Sequence, residues 1–214
     1  GFVDKYIGDA IVGVFGAPLA DPLHYENAVN AALKCQSRLI SIQSDLALPN
    51  NARATARIGI NSGDALVGNI GSNRRFNYTV IGDTVNLAAR LEGANKAYKT
   101  DILVSDETRK MCGDSIIFRE VDQVKVVGRE KPVVVFEPFA SNNFHSLFPF
   151  LDFKTYGQAL ENYREGNFTI ALTLFSNLAQ LGDKVAEQMA SRVKRLLDSA
   201  PIKNWNGVTD LDEK

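Results

Sequence analysis

The chain has 214 residues, 45% hydrophobic and 23% charged, enough to bury a core in one large or two small domains. With 24 basic against 25 acidic residues, a formal charge of -1 and no basic run, it lacks the electrostatic footprint of a nucleic-acid binder. Cys35 and Cys112 are too few for a disulfide framework and carry no metal-ligand spacing, and no apolar run approaches the ~20 residues that span a bilayer. A cytoplasmic, reducing setting follows as the expectation. The sequence opens at Gly1 inside an apolar stretch and reads as the remainder of a longer protein, in which a membrane would be reached only through upstream regions.

Residues 2–7 and 10–15 are apolar runs separated by Gly8-Asp9, a pairing typical of a tight hairpin, with the Asp9 carboxylate at its tip. Between residues 21 and 46, Ala28, Ala32, Cys35, Leu39, Ile42 and Leu46 recur every three or four positions, predicting an amphipathic helix whose stripe covers a sheet. Residues 57–61 and 65–70 read as strands joined by Ser62-Gly63-Asp64, and residues 76–81 as a strand leading into a helix. Further on, a strand at 102–104, a short helix at 106–111 and strands at 116–121 and 133–137 continue an α/β alternation.

At Ser141-Asn142-Asn143 the composition changes and the periodicity becomes wholly helical, so a boundary is placed there: residues 1–140 form one domain and 141–214 a helical extension. Tyr156, Leu160 and Tyr163 define one helix, Phe168, Leu172 and Phe175 a second, and Val185, Met189, Val193 and Leu196 a third. The spacing from Ala159 to Phe175 is similar to one tetratricopeptide-type helical hairpin. A single such unit cannot bury its own face and is expected to pack on the first domain or on a regulatory partner.

The helix after residue 81 carries Asn86 and Arg90 four residues apart, hence on one face. Arg offers a fixed fork of donors suited to phosphoryl oxygens, and Asn can hold a sugar in place. Three separated strings, DKYIGDAIVGVFG from Asp4, YTVIGDTVNLAARLEG from Tyr78 and VKVVGREK around Val127, occur in the order found in class III nucleotide cyclases, which this chain resembles over about residues 1–140. The resemblance implies a ferredoxin-like α/β cyclase fold lacking its first strand. It also implies conversion of ATP to 3′,5′-cyclic AMP and pyrophosphate by in-line attack of the ribose 3′-hydroxyl, with two Mg²⁺ or Mn²⁺ ions per site and a homodimer as the active form.

On that resemblance Asp9 is a metal ligand, Lys5 and Thr79 contact the purine, Asn86 orients the ribose and Arg90 stabilises charge on the α-phosphate. Lys5 can donate to adenine N1, where guanine carries a donor, so ATP is favoured over GTP. Thr79 can accept from the 6-amino group. Val127 stands where the family has a triphosphate-binding Lys, and Lys125, on the same strand face, or Arg129 is expected to substitute. Arg74 and Arg75 read as solvated loop residues, and His24 and His145 as surface or packing residues. The family's first metal aspartate lies in a Gly-Phe-Thr or Gly-Phe-Ser motif that does not occur here, so the residues given are expected to be inactive by themselves. The alternatives are a guanylate cyclase and a noncatalytic nucleotide-sensing or dimerisation module.

Overall fold

The computed structural model describes residues 1–46, 48, 54–72, 75–126, 131–141, 148–199 and 205–210. Strands β1 (Phe2–Ile7) and β2 (Ala10–Val14) form an antiparallel hairpin whose turn is made by Gly8 at φ +63°, a left-handed conformation that favours glycine. Helix α1 (His24–Ser41) is shorter than the apolar spacing suggests and ends in a single 3₁₀ turn over Gln43–Asp45. Cys35, counted in the predicted stripe, is exposed.

Strands β3 (Ile58–Ile60), β6 (Ile102–Ser105), β7 (Ile116–Lys125), β8 (Val133–Ala140) and β9 (Thr209–Asp210) make a five-stranded sheet in the order β3-β6-β8-β7-β9. Strands β4 (Leu66–Ser72) and β5 (Arg75–Ile81) form a separate antiparallel hairpin. The two strands flanking Ser62-Gly63-Asp64 therefore belong to different sheets. Their link is spent on the start of α2 (Asp83–Tyr98): Asn61 Nδ2 donates to the Thr84 carbonyl at 3.0 Å, and Thr84 Oγ1 donates to the Asp64 carbonyl at 2.9 Å.

Alternation along the strands feeds two cores. Ile102, Val104, Ile116 and Phe136 pack on Val29 and Ala32 of α1, beside α3 (Asp106–Met111). Leu103, Val121, Val124, Val133 and Val135 face the other way, onto Leu87, Leu91 and Tyr98 of α2 and onto α4 (Phe153–Arg164), α5 (Phe168–Gln180) and α6 (Lys184–Asp198). The expected helical extension thus shares one continuous core with the sheet, and the chain returns through β9 to pair in parallel with β7.

Helix α2 is set by two close fits. A Cβ at Gly59 would meet the Ala88 carbonyl oxygen at 2.1 Å and the Glu92 nitrogen at 2.2 Å, so only glycine lets β3 lie this near the helix. Buried Asn95 donates to the Ile58 carbonyl at 3.0 Å and accepts from Thr100 Oγ1 at 2.8 Å, fixing the helix along the sheet edge. Among the described residues, no helix is long and apolar enough to cross a membrane.

Candidate active site

The expected purine contacts, 74 residues apart in sequence, meet in space: Lys5 Nζ donates to Thr79 Oγ1 at 2.8 Å. A third side chain joins them. Thr79 Oγ1 donates to Asp4 Oδ2 at 3.0 Å, and the same carboxylate oxygen lies 3.1 Å from Lys5 Nζ. Neighbouring strand residues ordinarily point to opposite faces, but the β1–β2 register shifts between Val3 and Lys5, a bulge that re-aims a side chain. That irregularity lets Asp4 and Lys5 both reach Thr79. Phe2 and Tyr78 close the junction with ring centroids 5.5 Å apart.

The Asp4 side chain is 1% exposed and its Oδ1 is buried without a hydrogen-bond partner among the described residues, whereas the Lys5 side chain is 43% exposed. The Lys5 ammonium, with three protons and one hydrogen bond made to Thr79, can still donate to a group arriving from solvent. The next element in the chain, α2, begins immediately after β5. Asn86 in its first turns is exposed and lines an open depression of about 360 Å³ with Val80, Ile81, Gly82, Asp83 and Val85. One turn on, Arg90 is half-buried and its Nη1 is enclosed with no partner among the described residues. Glu92, a candidate to neutralise it, is bonded instead to Arg57 Nε at 2.8 Å. A buried donor left unmade costs about 1–3 kcal/mol, so Arg90 Nη1 is a candidate donor for an oxygen not found among the described residues.

Asp9 lies exposed at the β1–β2 turn, where the hairpin pattern puts it. Among the described residues no group of three or more His, Cys, Asp or Glu side chains could hold a metal ion. A hard divalent cation takes about six oxygens, so one isolated carboxylate does not make a two-ion site. Lys125 ends β7, exposed and in register with Asp210 of β9. No hydrogen bond or ion pair joins it to the Asp4-Lys5-Thr79 group or to Arg90 among the described residues. Arg129, Arg74 and His145 lie outside the described residues.

Sequence reasoning passed over Asp4, whose contact with Thr79 depends on the bulge. It also passed over two charged groups enclosed beneath the C-terminal helices. Asp122 accepts from Tyr98 OH at 2.7 Å, Thr209 Oγ1 at 2.6 Å and Arg192 Nη1 at 2.9 Å. Arg119 Nη1 donates to Asp183 at 2.6 Å, and its other nitrogens engage Glu137. Burial pushes the Asp122 and Glu137 carboxyls above the usual range, opposed by Arg192 and Arg119 respectively. Burial alone would lower the Arg119 guanidinium, but Glu137 and Asp183 hold it above its ordinary value.

Residues 4–137 match the family described as the adenylate and guanylate cyclase catalytic domain. Over 137 residues the chain is 36% identical to adenylate cyclase 1 of Rhizobium meliloti, aligning 64% of this chain with 21% of that protein. Over 144 residues it is 34% identical to an adenylate cyclase of Anabaena cylindrica, covering 64% of this chain and 28% of that one. The chain thus spans less than a third of the length of either relative. Among solved structures it is similar to the adenylyl cyclase CyaB from P. aeruginosa, with TM-score 0.58, 31% identity, and 65% of this chain and 72% of that chain covered. It is equally similar to the guanylyl cyclase Cya2, with TM-score 0.60, 31% identity, and coverage of 67% and 73%.

Proposed function

The chain belongs to the adenylate and guanylate cyclase catalytic-domain family, and from that premise we propose that it forms 3′,5′-cyclic AMP and pyrophosphate from ATP in a site shared by two copies. In the reaction the ribose 3′-hydroxyl gives up its proton to solvent and its oxygen bonds to the α-phosphorus, as the oxygen bridging to the β-phosphate leaves with pyrophosphate. Negative charge grows on the α-phosphoryl oxygens. The unpartnered Arg90 Nη1 supplies a donor for that charge, and exposed Asn86, one helical turn away, holds the ribose in line. Such preorganised donors act where water is excluded and their orientation is already fixed.

Choice of ATP over GTP is supported by the 2.8 Å bond between Lys5 and Thr79, which places a donor beside a hydroxyl, the two kinds of group that adenine N1 and its 6-amino group call for. Sharing between two copies is supported by the apolar side chains left open on the two hairpins: Tyr6, Ile7 and Ile11 on the first, Leu66, Phe76 and Ile81 on the second. Exposed apolar residues grouped in this way mark an interaction surface. Asp9, at the tip of the first hairpin, offers a carboxylate to such a partner.

A second reading, a nucleotide-sensing and dimerisation module, is favoured by the isolation of Asp9 from any metal-binding group among the described residues. Incubation of the purified protein, completed at its N-terminus with the strand that carries the first metal aspartate, with ATP or GTP and Mn²⁺ separates the readings. Predominant cyclic AMP is expected, predominant cyclic GMP overturns the adenine preference, and ATP binding without either product supports the sensing module.

A further inference from the structure

The junction of β1 and β5 holds a carboxylate whose enclosure needs a reason. Asp4 is almost wholly buried, one oxygen is bonded and the other has no partner among the described residues. Burying such a group is costly, and each unsatisfied case in a native protein calls for an explanation.

A threonine hydroxyl has one proton and two lone pairs. At Thr79 the proton goes to Asp4 at 3.0 Å, and one lone pair receives Lys5 Nζ at 2.8 Å. What is left to face a ligand is a lone pair, an acceptor only. Lys5, which donates to Thr79 and lies in an ion pair with Asp4, has donor protons to spare and is a donor only. We propose that Asp4 is a positioning residue for base choice: by holding the Thr79 proton it fixes that hydroxyl as an acceptor toward the bound base. Lys5 and Thr79 then match the N1 acceptor and 6-amino donor of adenine. The same pair opposes the N1–H donor and 6-oxygen acceptor of guanine. Without Asp4 the hydroxyl turns and can meet either. This inference rests on the reading of Lys5 and Thr79 as base contacts.

The test is competition against a fluorescent ATP derivative by ATP and by two analogues that keep N1 as an acceptor, one with hydrogen at C6 and one with a methoxy oxygen there. On the wild-type protein ATP should bind tightest, the C6-hydrogen analogue about tenfold more weakly for one lost hydrogen bond, and the methoxy analogue weakest. A methoxy analogue binding as well as the C6-hydrogen one overturns the proposal, because it requires a hydroxyl free to donate. In Asp4→Leu the gap between ATP and the methoxy analogue should shrink by about tenfold, partly through tighter binding of the latter. Damage to the fold would weaken all three ligands alike, so an unchanged gap also overturns the proposal. Should that variant fail to fold, the wild-type order still decides. Lys5→Glu separates the two levels: if it leaves ATP affinity unaltered, the base-contact reading itself fails. If it abolishes ATP preference while the C6 order is indifferent, only the role of Asp4 is lost.

Discussion

Beneath α4 to α6, Arg119 and Asp122 are almost completely enclosed and bonded to partners from other elements, whereas around β1, β5 and α2 three enclosed polar atoms, Asp4 Oδ1, Asn61 Oδ1 and Arg90 Nη1, have none among the described residues. Both regions bury charge. In the first, each charge meets its complement within the chain, which fixes how the helices sit on the sheet. In the second, Asp4 keeps its ion pair with Lys5, but its other oxygen and Arg90 Nη1 stay unmet among the described residues. An enclosed charged donor without a partner among the described residues sets Arg90 apart from the bonded Arg119 and Asp122 groups.

The sharpest way to break this comparison is to cut the paired side. Arg119→Ala leaves Glu137 and Asp183 enclosed without their cation, and chemical denaturation should report a loss of about 3–5 kcal/mol. On the unpaired side, Arg90→Ala should lower cyclase kcat by about 10²–10³-fold while the unfolding midpoint stays at or above wild type. A large stability loss in that variant would make Arg90 a structural residue and erase the contrast. Next in size, Tyr6→Ser combined with Phe76→Ser should weaken self-association by about tenfold in sedimentation analysis, with the unfolding of the monomer unchanged. The smallest effect concerns the start of α4, where Asp152 accepts from the Thr155 hydroxyl at 2.6 Å and its backbone N–H at 3.0 Å. Asp152→Ala should cost about 1 kcal/mol of stability. Those bonds hold the Asp152 carboxyl below its ordinary value, so its contribution is present above about pH 4 and is lost as pH falls through the folded-state value. A thermal scan against pH should show wild type and variant converging in acid.

The local parts of this architecture were legible in the residues. Gly8-Asp9 placed the first hairpin, the four-residue spacing of Asn86 and Arg90 set both on one helix, and the short helix at 106–111 is α3. The meeting of Lys5 and Thr79 was expected from resemblance to a family, since nothing in either residue's neighbourhood points across 74 positions. Illegible features share a cause. The bonds of Asp122 to Arg192 and Thr209 cross 70 and 87 residues, and β9 is only two residues long, so neither leaves a local period to read. Asp4 beside Lys5 looks like an ordinary alternating pair until the bulge turns both the same way. Ser62-Gly63-Asp64 reads as a link between two strands because its turn chemistry is real. Its hydrogen bonds serve α2 instead. The helices after residue 150 were placed by their apolar spacing, but the sheet that covers them is fixed by side chains far upstream.

The central claim is that Arg90 of one copy and the Asp9 carboxylate of another complete one site. Mixing two separately inactive variants, Asp9→Ala and Arg90→Ala, tests it most directly. Random pairing in a two-fold dimer places both lesions in one site of each mixed dimer and leaves the other intact, so cyclic AMP formation should return to about a quarter of the wild-type rate. A mixture no more active than either variant alone would contradict the account.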